Sequence, residues 1–231
     1  MTLFLLRHGQ TDWNVEPARC QGWRDVGLNE AGRAQARARG RAFHGRGIEL
    51  IVTSHLRRAR ETAELVREEL LGRLPTDEPT PPPAGRPQSG RTGAAVGGAG
   101  APARPLPIVV DPRLAETHRG RWEGRPYVDI VREEPAEWRA YREHPETFRF
   151  PGGESLAEQQ RRVLAALGDA ALDGRAVLAV THGGAIRLVR SFLDRRGIEA
   201  FHELAADNGG IDEVLGPGLA ERVAAALAGN P

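Results

Sequence analysis

The chain contains no lysine. All 32 residues of its Lys-plus-Arg total are arginine, so Schiff-base chemistry and a Walker-type phosphate loop, which both need a lysine, are excluded. Cysteine is almost as scarce. Cys20 stands alone among 231 residues, which rules out an internal disulfide and any cysteine-rich zinc site. An excess of charge of one sign is also missing. The arginines are offset by 31 acidic residues to a formal net charge of +1. Pairs such as Arg57/Glu61 and Arg60/Glu64 recur at helical spacing, the pattern of a solvated helix face rather than of a nucleic-acid-binding one. No apolar run approaches membrane-spanning length, and no signal-peptide pattern precedes Leu3. The expectation is a cytoplasmic protein with neither a nucleic-acid nor a membrane partner.

What is present is ordinary for a globular protein: 40% hydrophobic and 27% charged residues. The length allows a single domain over residues 1–231 with a sizeable core. Leu3–Leu6, Ile48–Val52 and Ala176–Val180 read as buried strands, and Ile108–Val110 as a short strand. Helical patterns lie between them. Asn29 can cap a helix whose small face is Ala31, Ala34, Ala38 and Ala42. Leu56, Ala59, Ala63, Val66 and Leu70 mark an amphipathic helix. Weaker helical stretches fall at Val128–Glu133 and Ala136–Arg142. Ser155 with Glu158 forms a capping box for a helix carrying Leu156, Val163, Leu164 and Leu167. Ala185–Leu193 is a strongly apolar helix, and an alanine-rich tail helix follows Asn208. From Pro75 to Pro105 the chain is Pro, Gly, Ala, Ser and Arg with little to bury, which predicts a disordered insertion. Strands alternating with helices predict an α/β sandwich with a mostly parallel sheet.

Two of those strands end alike, in "LFLLRHG" and "VLAVTHGG". Composition alone gives an Arg-His-Gly tripeptide about 0.1 times in a chain of this make-up, so one copy decides little. Two strands both ending in His-Gly are more informative, because an open parallel sheet binds ligands at the carboxyl ends of its strands. The strand in "IELIVTS" ends similarly and leads to Arg57-Arg58. One edge therefore gathers Arg7, His8, Arg58 and His182, together with free amides at helix N-termini. That is a pocket for a dianion such as a phosphoryl group. Arginines at this edge would repel cations, so no metal site is expected.

The stretches "RHGQT", "LRRARETA", "ETHRGRWEG", "PGGES" and "VTHGGAIR" occur in an order and spacing that resembles the histidine phosphatase superfamily, also called the phosphoglycerate mutase-like family. The resemblance runs from Leu3 to about Asn208, apart from the insertion. It implies a three-layer α/β/α sandwich and phosphoryl chemistry that needs no cofactor. By the same resemblance Arg7 and Arg58 bind phosphate, and His8 becomes the phosphohistidine. Asn14 touches the phosphoryl group, Gln21 lines the pocket, Glu116 donates the proton, and His182, followed by Gly183, steadies the transferring charge. His55 departs from the pattern, since an acidic residue is usual there. The implied activity is hydrolysis of a small phosphate monoester of the sugar or glycerate type. The implied alternative is a cofactor-dependent phosphoglycerate mutase. A non-catalytic phosphoryl-binding module is the third reading, and it should lack His8 or Glu116, both of which are present. The sequence leaves the oligomeric state open, a homodimer included.

Overall fold

The computed structural model describes residues 2–72, 105–208, 210–215 and 219–228. The segment expected to be a disordered insertion lies, but for Pro105, outside them. Five strands form one sheet: β1 (Thr2–Arg7), β2 (Leu50–Thr53), β3 (Ile108–Val110), β4 (Val177–Thr181) and β5 (Ile211–Leu215). Their order is β3-β2-β4-β1-β5, with the first four parallel and β5 antiparallel to β1. The chain passes from β1 to β2 and leaves a place between them, which β4 later fills. That exchange makes a switch point at the carboxyl ends of β1 and β4.

Strand alternation decides the layers. Leu3, Leu5, Val177 and Ala179 face one way and pack on α5 (Leu156–Leu172) and α6 (Gly183–Leu193). Phe4, Leu6, Ile51, Leu178 and Val180 face the other way and pack on α2 (Arg57–Leu71) and on Phe43, which follows α1 (Glu30–Ala42). Each fully buried Leu, Ile or Phe contributes roughly 1.5–3 kcal/mol, so the core on each face is substantial. The expected three-layer α/β/α sandwich is the observed one. The capping box also forms, with Glu158 N–H donating to Ser155 Oγ at 3.2 Å and Ser155 N–H to Glu158 Oε2 at 2.9 Å.

Two expectations need correcting. Asn29 does cap α1, accepting from Gly32 N–H at 2.9 Å, but Ala31, Ala34 and Ala38 face solvent. The buried stripe is Gly32, Ala36 and Gly40. Its reason is close approach: a methyl group on Gly32 would sit 2.0 Å from the Gln10 carbonyl oxygen, and one on Gly40 would sit 2.6 Å from Glu69 Cβ. The second correction is β5, which precedes the expected tail helix α7 (Leu219–Leu227) and was not foreseen.

A third cluster lies outside the two sheet faces. Trp122, Tyr141, Phe150, Phe201 and Leu188 are buried together with Cys20, and Trp138 and Phe148 pack against them. It carries α3 (Tyr127–Glu133) and α4 (Pro135–Glu143). Its rings interlock edge to face, as in Trp122–Phe150 with centroids 5.3 Å apart. Such packing holds a fixed wall beside the carboxyl edge of the sheet.

Candidate active site

At the end of β1 the chain stops burying hydrocarbon and delivers Arg7 and His8. The ladder continues one residue further, His8 N–H donating to the Thr181 carbonyl at 2.9 Å. A methyl group on Gly9 would lie 2.3 Å from the Gly32 carbonyl oxygen, so only glycine lets β1 run this close to α1. His8 Nδ1 lies 2.7 Å from the Gly9 carbonyl oxygen. A carbonyl can only accept, so Nδ1 carries the ring proton and Nε2 keeps a free lone pair. Burial, then the Arg58 and Arg7 guanidinium groups, push His8 well below its usual value, so the ring is neutral at pH 7.

A cleft of about 220 Å³ opens over this edge. Arg7, His8, Asn14, Gln21, Arg58, Glu116 and Gly183 all line it, so the structure brings together seven of the eight residues singled out in the sequence. His182 is the exception. It is fully buried and reaches the site through His8, with the two ring centroids 5.1 Å apart. Its Nε2 lies 2.9 Å from Ser54 Oγ, and its Nδ1 is buried without a partner.

The polar groups here are positioned and left unpaired. Arg58, with no exposed surface, donates to the carbonyls of Arg24 at 2.9 Å and Gly22 at 2.8 Å, while its Nε has no partner. Burial pushes it down to about 10, still fully charged at neutral pH. Arg7 donates to the Ala206 carbonyl and also leaves Nε buried and unpaired. Asn14 Oδ1 accepts from Thr11 N–H at 3.0 Å, Thr11 Oγ1 at 3.1 Å and Asn208 Nδ2 at 3.4 Å. With its oxygen so occupied, its NH2 group is free to donate. The expected free helix amides are mostly taken. Arg57 N–H donates to Asp25 at 2.6 Å and Gly184 N–H to Glu116 Oε2 at 3.2 Å.

Glu116 is the one carboxylate of the lining. Its Oε1 accepts from Thr117 N–H at 2.9 Å and Gln159 Nε2 at 3.2 Å. Burial pushes it up, but Arg119, the Thr117 and Gly184 amides and Arg58 outweigh that and hold it at about 2. At neutral pH the carboxyl is therefore ionised in the free protein. Arg162 fixes the segment beneath by donating to the carbonyls of Arg113, Ala115 and Glu116 at 2.7–2.8 Å. A methyl group on Gly184 would lie 2.2 Å from Glu116 Oε1. Gly184→Ala is expected to displace the carboxylate, lower turnover of an alkyl phosphate at least tenfold and cost about 1–3 kcal/mol of stability. Turnover and melting temperature check this, and unchanged turnover would contradict it.

Sequence reasoning missed Arg119, Arg187, Tyr127 and Trp13, which also line the cleft. Arg187 follows Gly183 by four residues on α6 and so shares its face, a signal already visible in "VTHGGAIR". His55 packs beside Trp23, ring centroids 5.9 Å apart, outside the lining.

Residues 3–78 and 91–218 match the family model for the histidine phosphatase superfamily, branch 1. The chain belongs to that superfamily. Among histidine phosphatase relatives, it is 35% identical to the glucosyl-3-phosphoglycerate phosphatase of Mycobacterium tuberculosis over 201 residues, covering 83% of this chain and 74% of that one. It is 32% identical to a protein described as a probable phosphoglycerate mutase, GpmB, of Yersinia enterocolitica, covering 84% and 74%. The solved structure of Bacillus stearothermophilus YhfR superposes with a TM-score of 0.74 at 30% identity, covering 94% of this chain and 92% of that one. No described helix of this histidine phosphatase is long and apolar enough to cross a membrane.

Proposed function

We propose that the chain is a phosphomonoesterase that hydrolyses a small phosphorylated metabolite through a phosphohistidine on His8. One observation carries this reading. Two buried guanidinium donors that lack partners, Arg7 Nε and Arg58 Nε, and the unpartnered ring nitrogen His182 Nδ1 collect around an imidazole with a free lone pair. Buried polar groups are nearly always paired, so such a cluster fits an acceptor-rich ligand, and a phosphoryl group supplies the oxygens. In the tautomer this reading assigns, Ser54 Oγ–H donates to His182 Nε2 and Nδ1 carries the ring's single proton towards a phosphoryl oxygen.

His8 Nε2 attacks phosphorus in line. The N–P bond forms as the ester P–O bond breaks, and Glu116 gives its proton to the departing alkoxide. Water then attacks phosphorus, Glu116 takes its proton, and the N–P bond breaks to release phosphate and neutral His8. A carboxyl held at about 2 is almost wholly ionised in the free protein at neutral pH. The proton therefore enters with the ester, whose second ionisation lies near pH 6. Asn14 and Gln21 orient the phosphoryl oxygens, and Gly183 lets Arg7 lie close against α6.

The mycobacterial relative's name supports a sugar or glycerate phosphate as substrate. A mutase would return the group to its bound product, whereas a phosphatase releases inorganic phosphate from a generic monoester. We place the protein in the cytoplasm as one catalytic domain, which fits a single, buried, unpaired cysteine. Arginines and one carboxylate suit an anion better than a divalent cation, so catalysis is expected to be metal-free. Full activity after exhaustive EDTA treatment, together with inhibition by vanadate, is the expected result. Loss of activity restored by a divalent metal would overturn it.

A further inference from the structure

We propose that Arg119 and Arg187 form a second anion subsite beside the phosphoryl pocket, and that it takes a carboxylate carried by the alcohol part of the ester. The proposal rests on the phosphomonoesterase reading above and specifies its substrate class.

The two guanidinium groups come from a different part of the fold than Arg7 and Arg58. Arg7 and Arg58 stand at the sheet edge, on β1 and α2. Arg119 and Arg187 stand on the aromatic cluster. Arg119 lies 5.2 Å over the Phe150 ring and 5.8 Å over Tyr141, and Arg187 lies 5.6 Å over Phe201. Both line the cleft. Arg119 is 7% exposed, and the one hydrogen-bond partner of its guanidinium among the described residues is the Tyr127 hydroxyl at 3.4 Å. Arg187 Nε is buried with no partner at all. Stacking on rings orients a guanidinium but leaves its in-plane N–H groups free, and that fork matches a carboxylate.

Charge counting points the same way. The walls carry Arg7, Arg19, Arg58, Arg119 and Arg187 against Glu116. Arg19 is exposed and donates to the Gly124 carbonyl, and among the described residues none of the other four has a carboxylate within ion-pair distance. With the exposed Arg19 left to solvent, Glu116 and a phosphoryl dianion still leave one of the other four positive charges without a counterpart. A largely buried, unpaired cation is costly, and a third negative charge on the ligand removes that cost. The cleft, at about 220 Å³, admits an ester of a few carbons. A carboxylate on Arg119 would also offset the charge that most opposes protonation of Glu116, so the second anion should favour turnover as well as binding.

The test uses two esters with one carbon skeleton, 3-phosphoglycerate and glycerol 3-phosphate, which differ in a carboxylate against a hydroxymethyl group. Wild-type kcat/KM is expected to favour the acid about tenfold or more. Arg187→Met and Arg119→Met should each shrink that ratio towards unity, and Arg187→Lys should keep part of it. Affinities of both esters for the His8→Ala protein give the same ratio without turnover, with Arg187→Met added to remove it. A wild-type ratio near one, or a ratio that survives both Met variants, overturns the subsite. If neither ester is hydrolysed while the acid still binds tighter in an Arg187-dependent way, the subsite stands and the phosphatase reading falls.

Discussion

His8→Ala is expected to lower turnover of any phosphate monoester by about 10⁴-fold or more, because it removes the atom that attacks phosphorus. The surrounding cleft survives the change. Arg58 is held by the carbonyls of Gly22 and Arg24 and Arg7 by that of Ala206, none of which depends on the imidazole. Inorganic phosphate should therefore still raise the melting temperature of the variant. That pairing, retained binding with lost turnover, separates a nucleophile from a residue that only shapes the pocket. His182→Ala should cost less, about 10²–10³-fold, the usual consequence of losing one donor to developing charge. His182 is buried outside the lining, beside His8, and its unpartnered Nδ1 is the atom left to meet the developing charge. Equal losses in the two variants would contradict the division of roles.

Glu116→Gln is expected to discriminate between leaving groups. An alkoxide is a strong base, and proton donation to it is worth about 10²–10⁴-fold, whereas p-nitrophenolate departs readily without a proton. Gln keeps the size of the side chain but has no proton to transfer. The first step should slow by that factor with a sugar or glycerate phosphate and far less with p-nitrophenyl phosphate. Single-turnover phosphorylation is the measurement, since hydrolysis of the phosphoenzyme also needs Glu116 and would hide the difference in steady state. Equal slowing with both esters would mean that Glu116 only shapes the pocket. The ionised state of Glu116 in the free protein adds a pH signature. The alkaline fall of kcat/KM should follow the second ionisation of the ester and move when esters of different second pKa are compared.

Strand ends and their chemistry were legible because motif and periodicity coincide there. Leu3–Leu6 and Ala176–Val180 are apolar without interruption, so each must be buried, and each ends at a histidine that cannot belong to the hydrocarbon core. What was illegible depended on tertiary approach. The buried stripe of α1 consists of Gly32, Ala36 and Gly40, and glycine carries no hydrophobic signal that a periodicity count would register. β5 exists because the far edge of β1 has backbone groups to pair, register Leu5 to Asp212, and its own sequence, "IDEVL", places two acids in the middle of a strand. Arg119 was invisible among 32 arginines, and Arg187 had only its helical spacing from Gly183 to mark it. Only the aromatic cluster that folds beneath them makes those two different from the rest. The charge state of Glu116 was out of reach for the same reason, since it follows from Arg119 and from the Gly184 amide, which folding alone brings to the carboxylate.

If the phosphoryl group rests on His8 during turnover, it can be trapped there chemically. Enzyme is mixed with a 32P-labelled monoester, quenched in alkali within one turnover, and the labelled residue is located by digestion and mass spectrometry. Label is expected on the peptide containing His8, bound at Nε2, stable in alkali and lost in acid, and absent from His8→Ala. Turnover with no trapped label on that peptide, or label on another residue that persists in His8→Ala, would contradict it.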